Sequence, residues 1–260
     1  MSNPHLKNII KLFETCRHRH DLYAVFSDWC ACAAISLSNA LDFQQRETRE
    51  ARYLEIIGRY DKQIVDTFPR ILGEVVMALE TRPQDILGAV FHDLELHNTA
   101  RGQFFTPYEL CQLMAKINVG GREDLEKVIG ERGFITAHEP AVGAGAMIIA
   151  LAEAIKDVGI NYQQKLHVTA VDVDPRAVHM AYIQFSLMHI PAEVIIGDTL
   201  RMEFRESWFT PAHIMGGWSH KLRPRKANEP LIVEPPSIES PDPAPAAEEK
   251  TGLPLFDFML

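Results

Sequence analysis

The amino-acid sequence predicts an α/β domain that follows a helical amino-terminal region. Two patterns lead to this prediction. Apolar residues recur at spacings of three and four through the first hundred residues, a period typical of amphipathic helices. Beyond residue 130, short apolar segments alternate with helix-forming segments, and each apolar segment ends at an acid or a glycine turn. Strands that alternate with helices in this way form an open parallel sheet.

The helical region contains two periodic sets of apolar residues, one over residues 22–30 and the other over residues 64–79. Few turn signals interrupt the region before Pro83. We therefore expect residues 1–98 to be helical and the α/β domain to occupy residues 99–222.

A strand, a glycine turn and a helix are predicted to follow one another between residues 134 and 155. The strand is short and apolar, the turn reads HEPAVGAGA over residues 138–146, and a helix-forming segment follows. Gly143 and Gly145 carry no Cβ atom, so a ligand can come close to the main chain at these positions. The sequence therefore predicts that a cofactor approaches backbone amides at this turn.

Two further predicted strands are each followed by an acid. The segment 166–171 precedes Asp172, and the segment 193–196 precedes Asp198. A carboxylate at the end of the second strand, about 20–30 residues past the glycine turn, is where α/β nucleotide folds bind ribose hydroxyls. For Asp174, which precedes a proline, a helix N-cap is favoured over ligand contact.

An upstream segment, which reads RGQFFTPY over residues 101–108, adds a second motif to the glycine turn. Together the two motifs resemble the adenine-N6 DNA methyltransferases, above all the modification subunits of type I restriction-modification systems. The resemblance covers roughly residues 85–200. It implies a Rossmann-like, S-adenosylmethionine-dependent methyltransferase domain and a site-specific, adenine-specific DNA methyltransferase activity. The room left before the proline-rich tail predicts about four strands, so the sheet of this chain is expected to be truncated.

The resemblance also implies one S-adenosylmethionine site built from four parts of the chain. In chain order, these parts would contact the methionine end, the amino acid portion, the ribose and the adenine amino group of the cofactor. Their residues are Phe105, Thr106 and Pro107; Glu139, Pro140, Gly143 and Gly145; Asp172; and Asp198. The family usually has Asp-Pro-Ala-Cys-Gly-Ser-Gly at the turn, and the substitutions in this chain keep the acid and both glycines.

The family's catalytic tetrapeptide, Asn/Asp-Pro-Pro-Tyr/Phe, does not follow Asp198. This motif holds the amino group of a flipped adenine with acceptor oxygens and stacks its ring on an aromatic face. The segment expected as the fourth strand, residues 209–218, ends at Trp218, which is the candidate for stacking. Met215 accepts no hydrogen bond as a carboxamide does. A catalytic role for Glu234, which precedes two prolines, is disfavoured by its proline-rich surroundings.

Two function classes follow from these motifs. The first is an enzyme that transfers a methyl group to adenine N6 of DNA. The second is a catalytically inactive homologue that keeps the cofactor site and acts as a regulatory or anti-restriction module. The family resemblance favours the first class, and the missing tetrapeptide favours the second.

The charge balance bears on how the chain would meet DNA. Its formal net charge is −9, and only residues 221–226 are locally basic. A protein that neutralises several phosphates by itself usually shows a basic stripe. We therefore expect the chain to contact DNA through a partner specificity subunit.

Other segments complete the predictions. Residues 223–260 are rich in proline and predict a disordered tail. Within it, Leu253–Phe256 resembles the core of sliding-clamp-binding peptides, so a clamp contact is a further expected interaction. The four cysteines show no metal-ligand spacing, which favours buried free thiols over a metal site. No signal peptide or stretch of eighteen apolar residues is present, so a cytoplasmic location is expected.

Overall fold

The computed structural model describes residues 3–96 and 106–223. From residue 4 to residue 93 its regular elements are helices. Their bounds are α1 Pro4–Glu14, α2 Leu22–Ser38, α3 Arg46–Ile57, α4 Lys62–Val65, α5 Phe68–Thr81 and α6 Ile86–Asp93. Four of them begin at an acid or asparagine whose side chain accepts a hydrogen bond from an N–H group of the first turn, which stabilises the helix start.

The helical region packs around α2, which is apolar on nearly all sides. Trp29 is fully buried, and its indole N–H donates to the carbonyl oxygen of Phe68 at 3.0 Å. The rings of Phe13 and Phe26 lie 5.5 Å and 6.3 Å from the Trp29 ring. The apolar residues whose spacing predicted these helices, over 22–30 and 64–79, supply the buried face.

The remaining elements alternate between helices and strands. Their bounds are α7 Tyr108–Val119, α8 Arg122–Arg132, β1 Ile135–Glu139, α9 Ala146–Asp157, α10 Tyr162–Lys165, β2 Leu166–Asp172, α11 Pro175–Leu187, β3 Ala192–Asp198, β4 Glu203–Phe209, α12 Pro211–Met215 and α13 Trp218–Lys221. One continuous cluster of buried side chains joins them to the helical region. Arg49 of α3 takes part in this junction, because its guanidinium lies 3.8 Å from the centre of the Trp208 ring on β4.

In the described residues the sheet has four strands in the order β1-β2-β3-β4. The first three are parallel, and β4 pairs antiparallel with β3. The prediction of a fourth strand at residues 209–218 is therefore wrong. The chain leaves the sheet at Thr210, whose hydroxyl accepts from His213 N, and Pro211 then begins a short helix. A capping threonine before a proline favours a helix start over a continued strand.

The carboxyl ends of the parallel strands are staggered. Glu139, the last residue of β1, is level with Ala170, which lies two residues before the end of β2. Asp172, the last residue of β2, is level with Ile196, two residues before the end of β3. The chain that follows β1 can therefore pass over the end of β2.

The structure also bears on three smaller predictions. Asp174 caps α11, since its carboxylate accepts from Arg176 N at 2.9 Å, which confirms the predicted N-cap. The four cysteines are all free and buried, as expected. No helix in the described ranges is long and apolar enough to cross a bilayer. Phe105, Glu234 and the segment Leu253–Phe256, with the rest of the predicted tail beyond Arg223, lie outside the described residues.

Candidate functional site

The glycine turn adopts a backbone that only glycine accommodates easily. Gly143 and Gly145 have φ angles of 55° and 102°, both in the left-handed region. A Cβ atom on Gly145 would also lie 2.7 Å from Cε1 of Phe185 in α11, which is closer than real contacts allow. Gly145 therefore lets the turn lie directly against α11 and then begin α9 at Ala146.

Asp172 fastens this turn to the end of β2. Its Oδ2 accepts a 2.9 Å hydrogen bond from Gly143 N, and its Oδ1 accepts one of 2.9 Å from Asp174 N. A backbone bond from Val142 N to Val171 O runs beside them at 2.9 Å. Burial raises the pKa of the Asp172 carboxyl, and the backbone hydrogen bonds oppose this rise.

Glu139 and Asp198 are the acids at the ends of β1 and β3. The Oε1 of Glu139 accepts from Ala141 N at 3.2 Å, and partial burial raises the pKa of this carboxyl. The Oδ1 of Asp198 accepts from Leu200 N and Arg201 N at 2.9 and 3.1 Å, which shapes the turn into β4. These predicted site residues therefore share the carboxyl edge of the parallel strands with Asp172.

Two hydrogen bonds hold neighbouring parts of this edge together. The Thr199 hydroxyl, next to Asp198, donates to the carbonyl oxygen of Pro140 at 3.0 Å. Pro140 follows Glu139 and precedes the two glycines of the turn. The end of β3 is thus joined across β2 to the chain that leaves β1.

The described part of the upstream motif comes to α9, the helix that the glycine turn begins. Thr106 and Pro107 are exposed, and Pro107 precedes the first residue of α7. The Tyr108 hydroxyl donates to Glu153 of α9 at 3.1 Å, and the Gln112 amide donates to the same carboxylate oxygen at 2.7 Å. These bonds fix the start of α7 on α9.

Sequence reasoning missed Gln184, a polar residue that supports the turn. Gln184 of α11 is fully buried, and its amide donates to Ala144 O in the turn at 2.7 Å and to Asp85 Oδ1 at 2.9 Å. Its carbonyl oxygen accepts from Ile86 N and Leu87 N at the start of α6. The available signal was a glutamine inside the apolar run of residues 177–187, because a buried amide needs partners.

The structure contradicts the stacking role predicted for Trp218. This side chain is 1% exposed. The centre of its ring system lies 5.2 Å from the ring of Phe134 and 5.2 Å from the ring of His167. Phe134 directly precedes β1 and His167 is the second residue of β2, so Trp218 lies at the amino ends of the parallel strands. The glycine turn and the acids lie at the opposite edge, and Trp218 cannot stack a base there.

Comparison with known proteins bears on the fold and the family of the chain. A mixed four-stranded sheet with many helices is compatible with an α/β, methyltransferase-like fold. The family model described as N-6 DNA methylase matches residues 84–217, just over half of the 260 residues. The chain belongs to this family, which confirms the resemblance seen in its motifs. Searches of curated proteins and of solved structures gave no match.

Proposed function

We propose that the chain binds S-adenosylmethionine at the carboxyl ends of β1, β2 and β3 and acts in adenine-N6 DNA modification, in the manner of a restriction-modification subunit. The observation that carries the proposal is the hydrogen bond from Gly143 N to Asp172 Oδ2. It joins a turn that contains two glycines to a strand-end acid within one site. Membership of the N-6 DNA methylase family supports the same cofactor.

The residues of this edge fit the groups that such a cofactor presents. A carboxylate offers about four lone-pair sites, so Asp172 can hold Gly143 N and Asp174 N and still accept from ribose hydroxyls. Glu139 supplies negative charge for a cationic amino group, and Asp198 is the acceptor for the adenine amino group. Thr106 and Pro107 are proposed beside the methionine end, near the start of α9.

When bound, S-adenosylmethionine supplies an electrophilic methyl group on its sulfonium. The chain's own contribution is to hold and orient this group, and positioning is a large part of catalysis in transfer reactions. Burial raises the pKa of Glu139 and Asp172 in the free chain. A cationic ligand favours the ionised carboxylates, so the affinity for the cofactor should fall as the pH is lowered through their titration.

Calorimetry with S-adenosylmethionine tests the cofactor site. Asp172→Ala removes a charged acceptor and should weaken binding by about 1.5–3 kcal/mol. Asp157→Ala makes the same change at an exposed position on the far end of α9 and should bind as wild type does. Thermal unfolding of each variant shows whether Asp172→Ala remains folded. If the wild-type chain does not bind S-adenosylmethionine, or if both variants bind it equally, the assignment of the cofactor site is refuted.

A second function, a cofactor-binding module without methyl transfer, is favoured by two observations. The aromatic residue proposed for stacking is buried at the opposite edge of the sheet, and the sequence contains no Asn/Asp-Pro-Pro-Tyr/Phe tetrapeptide. Such a module would act in regulation or against restriction. Transfer of labelled methyl groups to unmethylated DNA separates the two functions, and we expect weak or no transfer by the isolated chain. Robust turnover without a partner would exclude the inactive module.

The partners proposed for this chain are DNA, through a specificity subunit, and a sliding clamp. The net charge of −9 supports the first, because phosphate contacts need cationic side chains. The second rests on Leu253–Phe256 alone. A labelled peptide of residues 247–260 should bind a purified clamp, and Leu255→Ala with Phe256→Ala should abolish the binding. Absence of binding by the wild-type peptide would remove the clamp from the proposal.

A further inference from the structure

Helix α7 has apolar residues on two opposite sides. One side packs against the protein through Cys111, Ala115 and Val119, which are all buried. The other side is a stripe made of Leu110, Leu113, Met114 and Ile117, whose exposed fractions are 46%, 57%, 41% and 71%. We call these four residues the α7 stripe.

The spacing of the α7 stripe is that of a helix-packing face. Its residues follow one another at intervals of three, one and three, so they form a single row along the helix. Scattered apolar side chains are normal on a protein surface, but a contiguous exposed row indicates a site of association. The row turns away from α9, because Tyr108 and Gln112, which bond to Glu153 of α9, lie on the other side of α7.

We propose that the α7 stripe is a homodimer interface in which α7 packs antiparallel against α7 of a second copy of this chain. The twofold axis would pass between Leu113 and Met114. Leu110 of one copy would then meet Ile117 of the other, whereas Leu113 and Met114, which lie on opposite flanks of the row, would each meet the same residue of the second copy. The stripe is therefore complementary to itself in size and polarity.

Charge complementarity selects this arrangement. Glu109 and Lys116 are exposed and lie seven residues apart, and positions seven residues apart in a helix differ by only about 20° in direction. Both therefore flank the same side of the α7 stripe. In an antiparallel pair this flank faces the same flank of the second copy. Each Glu109 then lies beside Lys116 of the other copy, which gives two reciprocal ion pairs.

This dimer leaves the candidate cofactor site open. Thr106 and Pro107 lie at the amino end of α7, and antiparallel packing places the two amino ends at opposite ends of the contact. A helix of this length spans about 18 Å at 1.5 Å per residue. The two cofactor sites would stay separate, and the dimer does not depend on the cofactor being bound.

Sedimentation velocity of the full chain over a range of concentrations tests the interface. The wild-type chain should form dimers, and Leu113→Glu with Ile117→Glu should weaken dimerisation at least tenfold. Leu54→Glu is the matched control, since Leu54 is 56% exposed on α3 and outside the stripe. Thermal unfolding should confirm that all variants are folded.

A charge exchange tests the antiparallel arrangement. Glu109→Lys and Lys116→Glu should each weaken the dimer, because like charges then face each other, and the double variant should restore it. If the wild-type chain remains a monomer at the highest attainable concentration, the proposal is overturned, and the stripe would bind a different protein. A dimer that ignores the stripe variants, or single exchanges without effect, would also overturn it.

Discussion

Ala144 and Gln184 lie forty residues apart in the chain, yet the Gln184 amide donates a 2.7 Å hydrogen bond to the carbonyl oxygen of Ala144. The same side chain bonds to Asp85 and to the first N–H groups of α6. The glycine turn is therefore tied to the helical region through one buried amide. This connection gives the helical region a direct part in shaping the candidate site.

The first prediction concerns this amide. Gln184→Ala should lower the free energy of unfolding by about 2–4 kcal/mol, because buried donors and acceptors would lose their partner. Urea denaturation measures the loss. Gln164→Ala is the control, since Gln164 is exposed, and it should change stability by less than about 0.5 kcal/mol. Equal effects of the two substitutions would show that the buried network contributes little.

The second prediction concerns the glycine turn. Gly145→Ala should destabilise the chain by about 1–3 kcal/mol, because alanine disfavours the φ angle of 102° and its Cβ would meet Phe185. Gly130→Ala should have the opposite effect. Gly130 lies within α8 with no atom within 4 Å of an added Cβ, so a gain of about 0.5–1 kcal/mol is expected from helix propensity. Thermal unfolding of both variants checks the signs.

The third prediction concerns Arg49, which connects α3 to β4. Its guanidinium donates to Asp42 at 2.7 Å and to the carbonyl oxygen of Ser207 at 3.0 Å. Arg49→Met should lower stability by about 3–5 kcal/mol, because it leaves a nearly buried carboxylate without its partner. Arg52→Met removes a more exposed arginine that lies 3.8 Å from Glu206, and it should cost about 1 kcal/mol or less. Chemical denaturation that ranks the two variants in the reverse order would contradict this account.

The fourth prediction concerns stability at acid pH. Burial lowers the pKa of His179 to about 3 and that of His167 and His213 to about 4. In the unfolded chain these groups bind protons near pH 6.5. The unfolded state therefore binds more protons between pH 6.5 and pH 4. Their contribution to stability is fully present above pH 6.5 and is lost as the pH falls through this window.

Replacing one of these histidines measures how much it contributes to the pH dependence of stability. The free energy of unfolding of His179→Phe should depend less on pH, by up to about 1.4 kcal/mol per pH unit between pH 6.5 and pH 4. The difference between variant and wild type is the useful quantity, because the raised pKa values of Glu139 and Asp172 act in the opposite direction. If the stabilities of variant and wild type change with pH in the same way, His179 is protonated in the folded chain as it is in the unfolded chain.

The parts of the site that could be predicted from sequence are those encoded locally. The acids at residues 139, 172 and 198 each end a strand and the glycine turn follows β1, and parallel strands bring their carboxyl ends to one edge. The part played by Gln184 could not be predicted, since its bonds to Ile86 and Leu87 join residues almost a hundred positions apart. A buried amide can be recognised from a sequence more readily than the residues to which it bonds.

The errors at residues 203–218 have a related cause. The turn that begins at Asp198 reverses the direction of the chain, so β4 runs antiparallel to β3. This strand begins at Glu203, earlier than expected. Thr210 and Pro211 then start a helix, and Trp218 comes to the amino ends of the strands. The direction of a strand and the sheet edge that a later residue reaches depend on such turns, which apolar patterning does not specify.

The short connection between β3 and β4 has a consequence for the order of folding. Only residues 199–202 separate these strands, whereas residues 140–165 separate β1 from β2. Closing a short loop loses less chain entropy than closing a long one, so we expect the β3–β4 hairpin to form early and β1 to join late. Of the proposed site residues the hairpin contains only Asp198, and the glycine turn follows β1. The proposed cofactor site would then be assembled in the final stage of folding, and a chain that has formed its hairpin would still be unable to retain the cofactor.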